Sequence, residues 1–162
     1  MLPQQDKERR SESISIRLSK MKTAPIGVSA CLLGFNCKYN GKNNLNLEVI
    51  NFIKGKEVVP FCPEELGGLQ TPRIPSEITQ NGKVINQVGQ DVTNNFTQGA
   101  FKALEILKTN NCESVILKDG SPSCGYTFIY DGTFSNVKIP GEGITCKYLK
   151  NNGIKIIDFI ET

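Results

Sequence analysis

Ile26-Gly27-Val28-Ser29-Ala30-Cys31-Leu32-Leu33-Gly34 joins a short apolar run, with the length and character of a buried strand, to a glycine-bearing loop that has a cysteine at the junction. The arrangement recurs at Val58-Val59-Pro60-Phe61, which runs into Cys62. Between the two, residues 45–54 place Leu45, Val49, Ile50 and Ile53 on one helical face. A third unit follows. From Asp91 to Lys108, Val92, Phe96, Ala100, Ala103, Leu104 and Leu107 recur at helical spacing, the strongest such pattern in the chain; a strand at Ser114 to Leu117 and a loop carrying Cys124 come next. Alternating strands, loops and helices predict an α/β class: a single compact domain whose mostly parallel sheet is flanked by helices in a Rossmann-like, three-layer arrangement. Further on, Phe128-Ile129-Tyr130 turning through Asp131-Gly132 predicts a hairpin, and the chain ends in a helix at Thr145 to Lys150 and a strand at Ile154 to Ile157. Cys31, Cys62 and Cys124 therefore all follow predicted strands, where open α/β sheets bind their ligands.

The 162 residues favour one core over two, and 38% hydrophobic with 22% charged residues is ordinary globular composition. No apolar stretch is long enough to span a bilayer and no secretory signal opens the chain, so a cytoplasmic protein with no membrane partner is expected. The net charge of +3 is uneven: residues 1–20 carry +2 of it. The nearly neutral remainder offers little counterion release, which argues against a long nucleic acid and for a small substrate. The polar opening stretch, with Ile14, Ile16 and Leu18 as its only apolar alternation, reads as a flexible N-terminal tail over residues 1–20. Met21 stands just before the first apolar run, and a start placed too far upstream would give the same picture. The domain itself is read as residues 21–162.

Histidine is absent, which removes the commonest general base and every imidazole metal site. Six cysteines remain, too few for a disulfide scaffold. Cys31, Cys62 and Cys124 lie in loops rich in Gly or Pro, whose backbone can approach a cofactor closely. Three thiolates suit zinc or an iron–sulfur cluster and leave one metal position open; equally, free cysteine is a common core residue, and no CxxC pair is present. Cys112 and Cys146 sit on helix-like segments and read as structural, while Cys37 is undecided.

A carboxyl group is the best remaining acid or base, and Glu64 lies two residues past Cys62, where it is also placed as a helix N-terminal acid. Ser121 and Ser123 flank Pro122, able to hold a substrate or water or simply to form a turn. Arg73, between Pro72 and Pro75, could clamp an anion or pair with Glu77. Asp91 is placed to cap the long helix.

The blocks SACLLGFNCKYNG (29–41), VVPFCPEELGGLQTPRIPSEI (58–78), VGQDVTNNFTQGA (88–100), LKDGSPSCG (117–125) and IYDGTF (129–134) occur in this order. Together they resemble the DUF523 family, which includes the thiouracil desulfidases, from about Ile26 to Ile157. The resemblance implies a [4Fe-4S] cluster held by Cys31, Cys62 and Cys124, with a fourth iron open to the sulfur of a thiolated nucleobase such as thiouracil. It implies a non-redox, hydrolytic desulfidase that exchanges C=S for C=O and releases sulfide. Glu64 would handle the proton of the attacking water, and Ser121 would position the base or that water. A small thiolated heterocycle, the cluster-assembly machinery and a monomer or weak dimer are the partners and state expected. Lys38 and Asn40 stand where the family has Arg and Asp, and Gln70 replaces a Pro, which bears on substrate fit.

Two other classes compete. One is a non-catalytic protein with a closed four-thiolate site, Cys31, Cys37, Cys62 and Cys124, suited to zinc. The other is a thiol redox enzyme, which the absence of a CxxC pair disfavours.

Overall fold

The computed structural model describes residues 24–159. The reading of residues 1–20 as a tail lies outside them.

Strand β1 (Ile26–Ser29) is followed by a turn of 3-10 helix (Ala30–Leu33), helix α1 (Leu47–Phe52), β2 (Val58–Phe61) and the short helix α2 (Pro63–Leu66). Next come β3 (Ser76–Ile78), β4 (Val84–Asn86), the long helix α3 (Thr93–Thr109) and β5 (Ser114–Ile116). The chain finishes with β6 (Phe128–Tyr130), β7 (Lys138–Pro140), α4 (Ile144–Asn151) and β8 (Lys155–Ile156). Four strands form one parallel sheet in the order β2-β1-β5-β8, with Ile26 opposite both Val58 and Ser114.

Both faces of the sheet are covered, as a parallel sheet requires. On one face Ala103 and Leu107 of α3 and Cys146 and Leu149 of α4 pack with Phe61, Val115 and Leu117. On the other, Val49 of α1 packs with Ile26, Val28, Leu32 and Ile116. Gly27 lets α3 settle onto β1, since a Cβ there would run into the Leu107 side chain. The α/β, three-layer expectation is met.

Two antiparallel hairpins, β3–β4 and β6–β7, stand outside this sheet, and β3 packs on β6. Glu77 of β3 accepts the backbone N–H groups of Gly132 (3.0 Å) and Phe134 (3.1 Å), tying one hairpin to the other.

The structure moves several predicted boundaries. Helix α1 starts at Leu47, leaving Leu45 outside it and exposed, because the Asn46 side chain accepts the N–H groups of Glu48 and Val49 and fixes the start. Asp91 is not the N-cap of α3; that position is Val92, although the Asp91 carboxylate still accepts the Thr93 N–H at 2.9 Å. The first hairpin strand does not turn back through Asp131-Gly132 alone. Residues 131–137 intervene before β7, with Phe134 and Asn136 in left-handed backbone. Cys112 lies in the turn after α3 rather than on a helix, yet it is buried, as is Cys146 on α4.

Candidate active site

Strands β2, β1 and β5 are neighbours, so the three loops leaving their carboxyl ends converge. They line a cavity of about 510 Å³ whose wall includes Cys31, Cys37, Cys62, Cys124, Glu64 and Ser121.

Each thiol is placed by local structure. Cys31 sits in the 3-10 turn ended by Gly34 in left-handed backbone (φ 96°), and the Cys31 carbonyl accepts the N–H of Asn44 at 2.9 Å. Ser29 Oγ accepts the Lys118 N–H at 3.0 Å, fastening the end of β1 to the end of β5. Cys62 caps α2 at the end of β2, followed by Pro63 in the first helical turn, where its missing N–H is no loss. Glu64 is thus on a short helix, not a loop. Cys124 is held by a tight turn: Ser121 Oγ accepts its N–H at 2.7 Å, and Ser123 Oγ donates to its sulfur at 3.6 Å.

The loop of Cys124 is fixed from two further directions. The Asp119 carboxylate accepts the N–H groups of Gly120, Tyr126 and Thr127 and the Thr127 hydroxyl. The amides opening α4, which lack intrahelical acceptors, donate instead to loop carbonyls. Ile144 N–H reaches Pro122 O at 2.9 Å and Thr145 N–H reaches Ser123 O at 3.0 Å.

The electrostatics divide the thiols. Cys31 is lowered to about 7, first by its hydrogen bond with Cys37, and Cys62 is lowered by the same neighbour. Cys37 is raised by those two contacts and stays protonated between them. Burial pushes Cys124 up to about 12, so only binding to a metal would deprotonate it near neutrality. Glu64 lines the same cavity, and its charge raises Cys31, Cys62 and Cys124 alike. Cys37, Cys62 and Glu65 bring ligand atoms within 4.8 Å of one another.

Arg73 does not pair with Glu77. Its guanidinium meets Glu64 Oε2 at 2.6 Å, with both side chains largely buried. Arg73 and Lys118 also line the cavity, and Lys118 acts electrostatically on Cys31. Sequence reasoning missed Lys118, although the signal was available: it follows β5 just as Cys31 follows β1.

The donor set fits an iron–sulfur group: thiols from three separate loops, with Cys37 sharing the first with Cys31, no imidazole, and glycine-rich backbone around them. Among the described residues, no helix is long and apolar enough to cross a membrane.

A sequence profile of the family described as 2-thiouracil desulfurase matches residues 26–160. The uncharacterized protein YbbK of Bacillus subtilis (strain 168) is 44% identical over 139 residues, spanning 80% of this chain and 92% of that protein. The solved structure of the [4Fe-4S]-dependent thiouracil desulfidase TudS is 41% identical with a TM-score of 0.74, covering 82% of this chain and 88% of that one. A sheet edge bearing three convergent thiols, matched in fold and over most of its sequence by these relatives, places the chain in the 2-thiouracil desulfurase family.

Proposed function

We propose that this chain is a [4Fe-4S]-dependent, non-redox desulfidase that converts a thiolated nucleobase such as thiouracil, with water, into the oxo base and hydrogen sulfide. The observation that carries this reading is the meeting of Cys31, Cys62, Cys124 and Glu64 in one cavity at the carboxyl ends of β1, β2 and β5. Cys31, Cys62 and Cys124 would hold the cluster. When bound, it supplies an iron without a cysteine ligand, a Lewis acid toward soft thiocarbonyl sulfur.

The protein's own groups do the rest. Glu64, with one carboxylate oxygen on Arg73, takes the proton of the attacking water at the other and returns it as sulfide leaves. Ser121 stands 3.2 Å from Ser123 and lines the cavity, placed to orient the base or the water while its oxygen keeps the Cys124 N–H. Carbon exchanges sulfur for oxygen with no net electron transfer, so no redox partner is needed. The working protein is proposed to be cytoplasmic, a monomer or weak dimer loaded by cluster-assembly machinery, with residues 21–162 as its functional domain.

The test is iron and acid-labile sulfide per chain after anaerobic purification, with the thiouracil absorption band followed on mixing. About four of each, loss of the band and release of sulfide are expected. The contact of Cys37 with Cys31 and Cys62 favours the four-thiolate zinc site as second reading. Zinc alone, persisting through anaerobic reconstitution with iron and sulfide, would select it.

A further inference from the structure

We propose that Arg73 is the positioning residue for Glu64 and that it selects Oε1 as the working oxygen, an inference that rests on the proton-handling role of Glu64 given above. Arg73 Nη2 donates both to Glu64 Oε2 at 2.6 Å and to the Cys37 carbonyl at 2.8 Å. Its Nη1 donates to Thr71 Oγ1 at 2.8 Å and to the Gln70 carbonyl at 3.4 Å. The Arg73 backbone N–H, in turn, donates to the Tyr39 carbonyl at 2.7 Å. The side chains of Arg73 and Glu64 are only 8% and 17% exposed.

One side chain thus ties together the loop after β1, helix α2 and the segment leading to β3. Four acceptors around a single cation suit the planar, five-donor fork of guanidinium; an ammonium, with three donors from one point, cannot reach them all. Oε2 is committed to Arg73, and the Glu64 carboxylate has no other hydrogen-bond partner among the described residues. Oε1 is left to meet a water in the cavity that both residues line. The second bond, to the carbonyl of Cys37, holds the carboxylate at a fixed place relative to the loop of Cys31. Arg73 acts through Glu64 and not on the substrate.

The experiment compares Arg73→Gln and Arg73→Lys in the cluster-loaded full chain. It measures kcat, KM for thiouracil, the inhibition constant of uracil, and iron and sulfide per chain. A misplacement of the proton-handling group by about 1 Å predicts a fall in kcat of roughly 100-fold, with KM and uracil inhibition within about threefold of wild type. Iron and sulfide contents stay at the wild-type level, and Arg73→Lys, which keeps the charge but not the fork, recovers part of kcat. Adding Arg73→Gln to a Glu64→Gln chain slows it no further. Wild-type kcat in Arg73→Gln, or loss of iron in parallel with activity in both variants, would overturn the proposal. Full turnover in Glu64→Gln alone removes instead the reading on which it rests, so the two failures are distinguishable.

Discussion

Cys37 is the thiol whose neighbours separate the competing functions. It is buried and contacts both Cys31 and Cys62, whereas Cys124 enters from the far side of β1, on the loop after β5. A cluster on Cys31, Cys62 and Cys124 does not need it; a closed zinc site does. Cys37→Ala is therefore expected to keep about four irons per chain, while alanine at Cys31, Cys62 or Cys124 loses them, as iron analysis after anaerobic purification will read. Ser121 can be resolved in the same manner. Its hydroxyl oxygen holds the Cys124 N–H, so Ser121→Ala should cost stability on the order of 1–3 kcal/mol in thermal or urea unfolding. If it also orients substrate, kcat/KM falls beyond what the lost stability explains; unchanged kinetics would leave it a turn former. That Cys31, Cys62 and Cys124 meet in one cavity was legible because each follows a strand, and Glu64 came with Cys62, two residues before it. The partner of Arg73 was not, since Glu64 and Glu77 lie nine and four residues away in sequence and only the fold chooses between them.

Helix α2 carries Glu64, and its seat on α3 depends on two glycines that meet. A Cβ on Gly99 would run into the Pro63 carbonyl, and one on Gly67 into the Asn95 carbonyl, whose own side chain donates to Gly67 O at 2.9 Å. Alanine at an ordinary helix interior would gain about 1 kcal/mol over glycine. Here the obstacle is backbone, which yields poorly, so Gly99→Ala should instead lose roughly 1–3 kcal/mol in urea unfolding and shift Glu64 enough to depress turnover. The loop of Cys124 makes the complementary case. Burial alone would raise the Asp119 carboxyl, but hydrogen bonds from Thr127, Tyr126 and Phe128 hold it below the usual carboxylate range. A depressed folded-state pKa means stability that is fully present above the unfolded value of about 3.9 and is lost as pH falls through the folded one. Asp119→Asn should lower the thermal midpoint at pH 6 and flatten its decline below pH 4. The major elements α3, β1, β2 and β5 were legible from periodicity. The β3–β4 hairpin went unread because its strands are three residues each, β3 is half-buried throughout, and one of the two buried positions of β4 is the polar Asn86, which hides the alternation, although Asn81-Gly82 marks its turn.

Taken as one molecule, strand order accounts for the meeting of the thiols: three neighbouring parallel strands deliver Cys31, Cys62 and Cys124 to one edge, and the layers on both faces fix the strands. If strand order places the thiols without metal, they should be unequal in the metal-free chain. The thiolate is the reactive form, so exposure and pKa together set the order of labelling. Cys31 and Cys62 are half-buried and lowered, Cys31 to about 7; Cys37, Cys112, Cys124 and Cys146 are buried and raised, the last two to about 12. Brief treatment of iron-free protein with a thiol alkylator at pH 7, read by peptide mass spectrometry, should label Cys31 and Cys62 at least tenfold faster than the other four. Half-maximal Cys31 labelling should fall near pH 7. Cluster loading should protect both and raise the thermal midpoint, because a ligand bound only by the folded state adds to its stability. Equal labelling of all six cysteines in the iron-free chain would mean that metal, not the strand order, assembles this edge of the sheet.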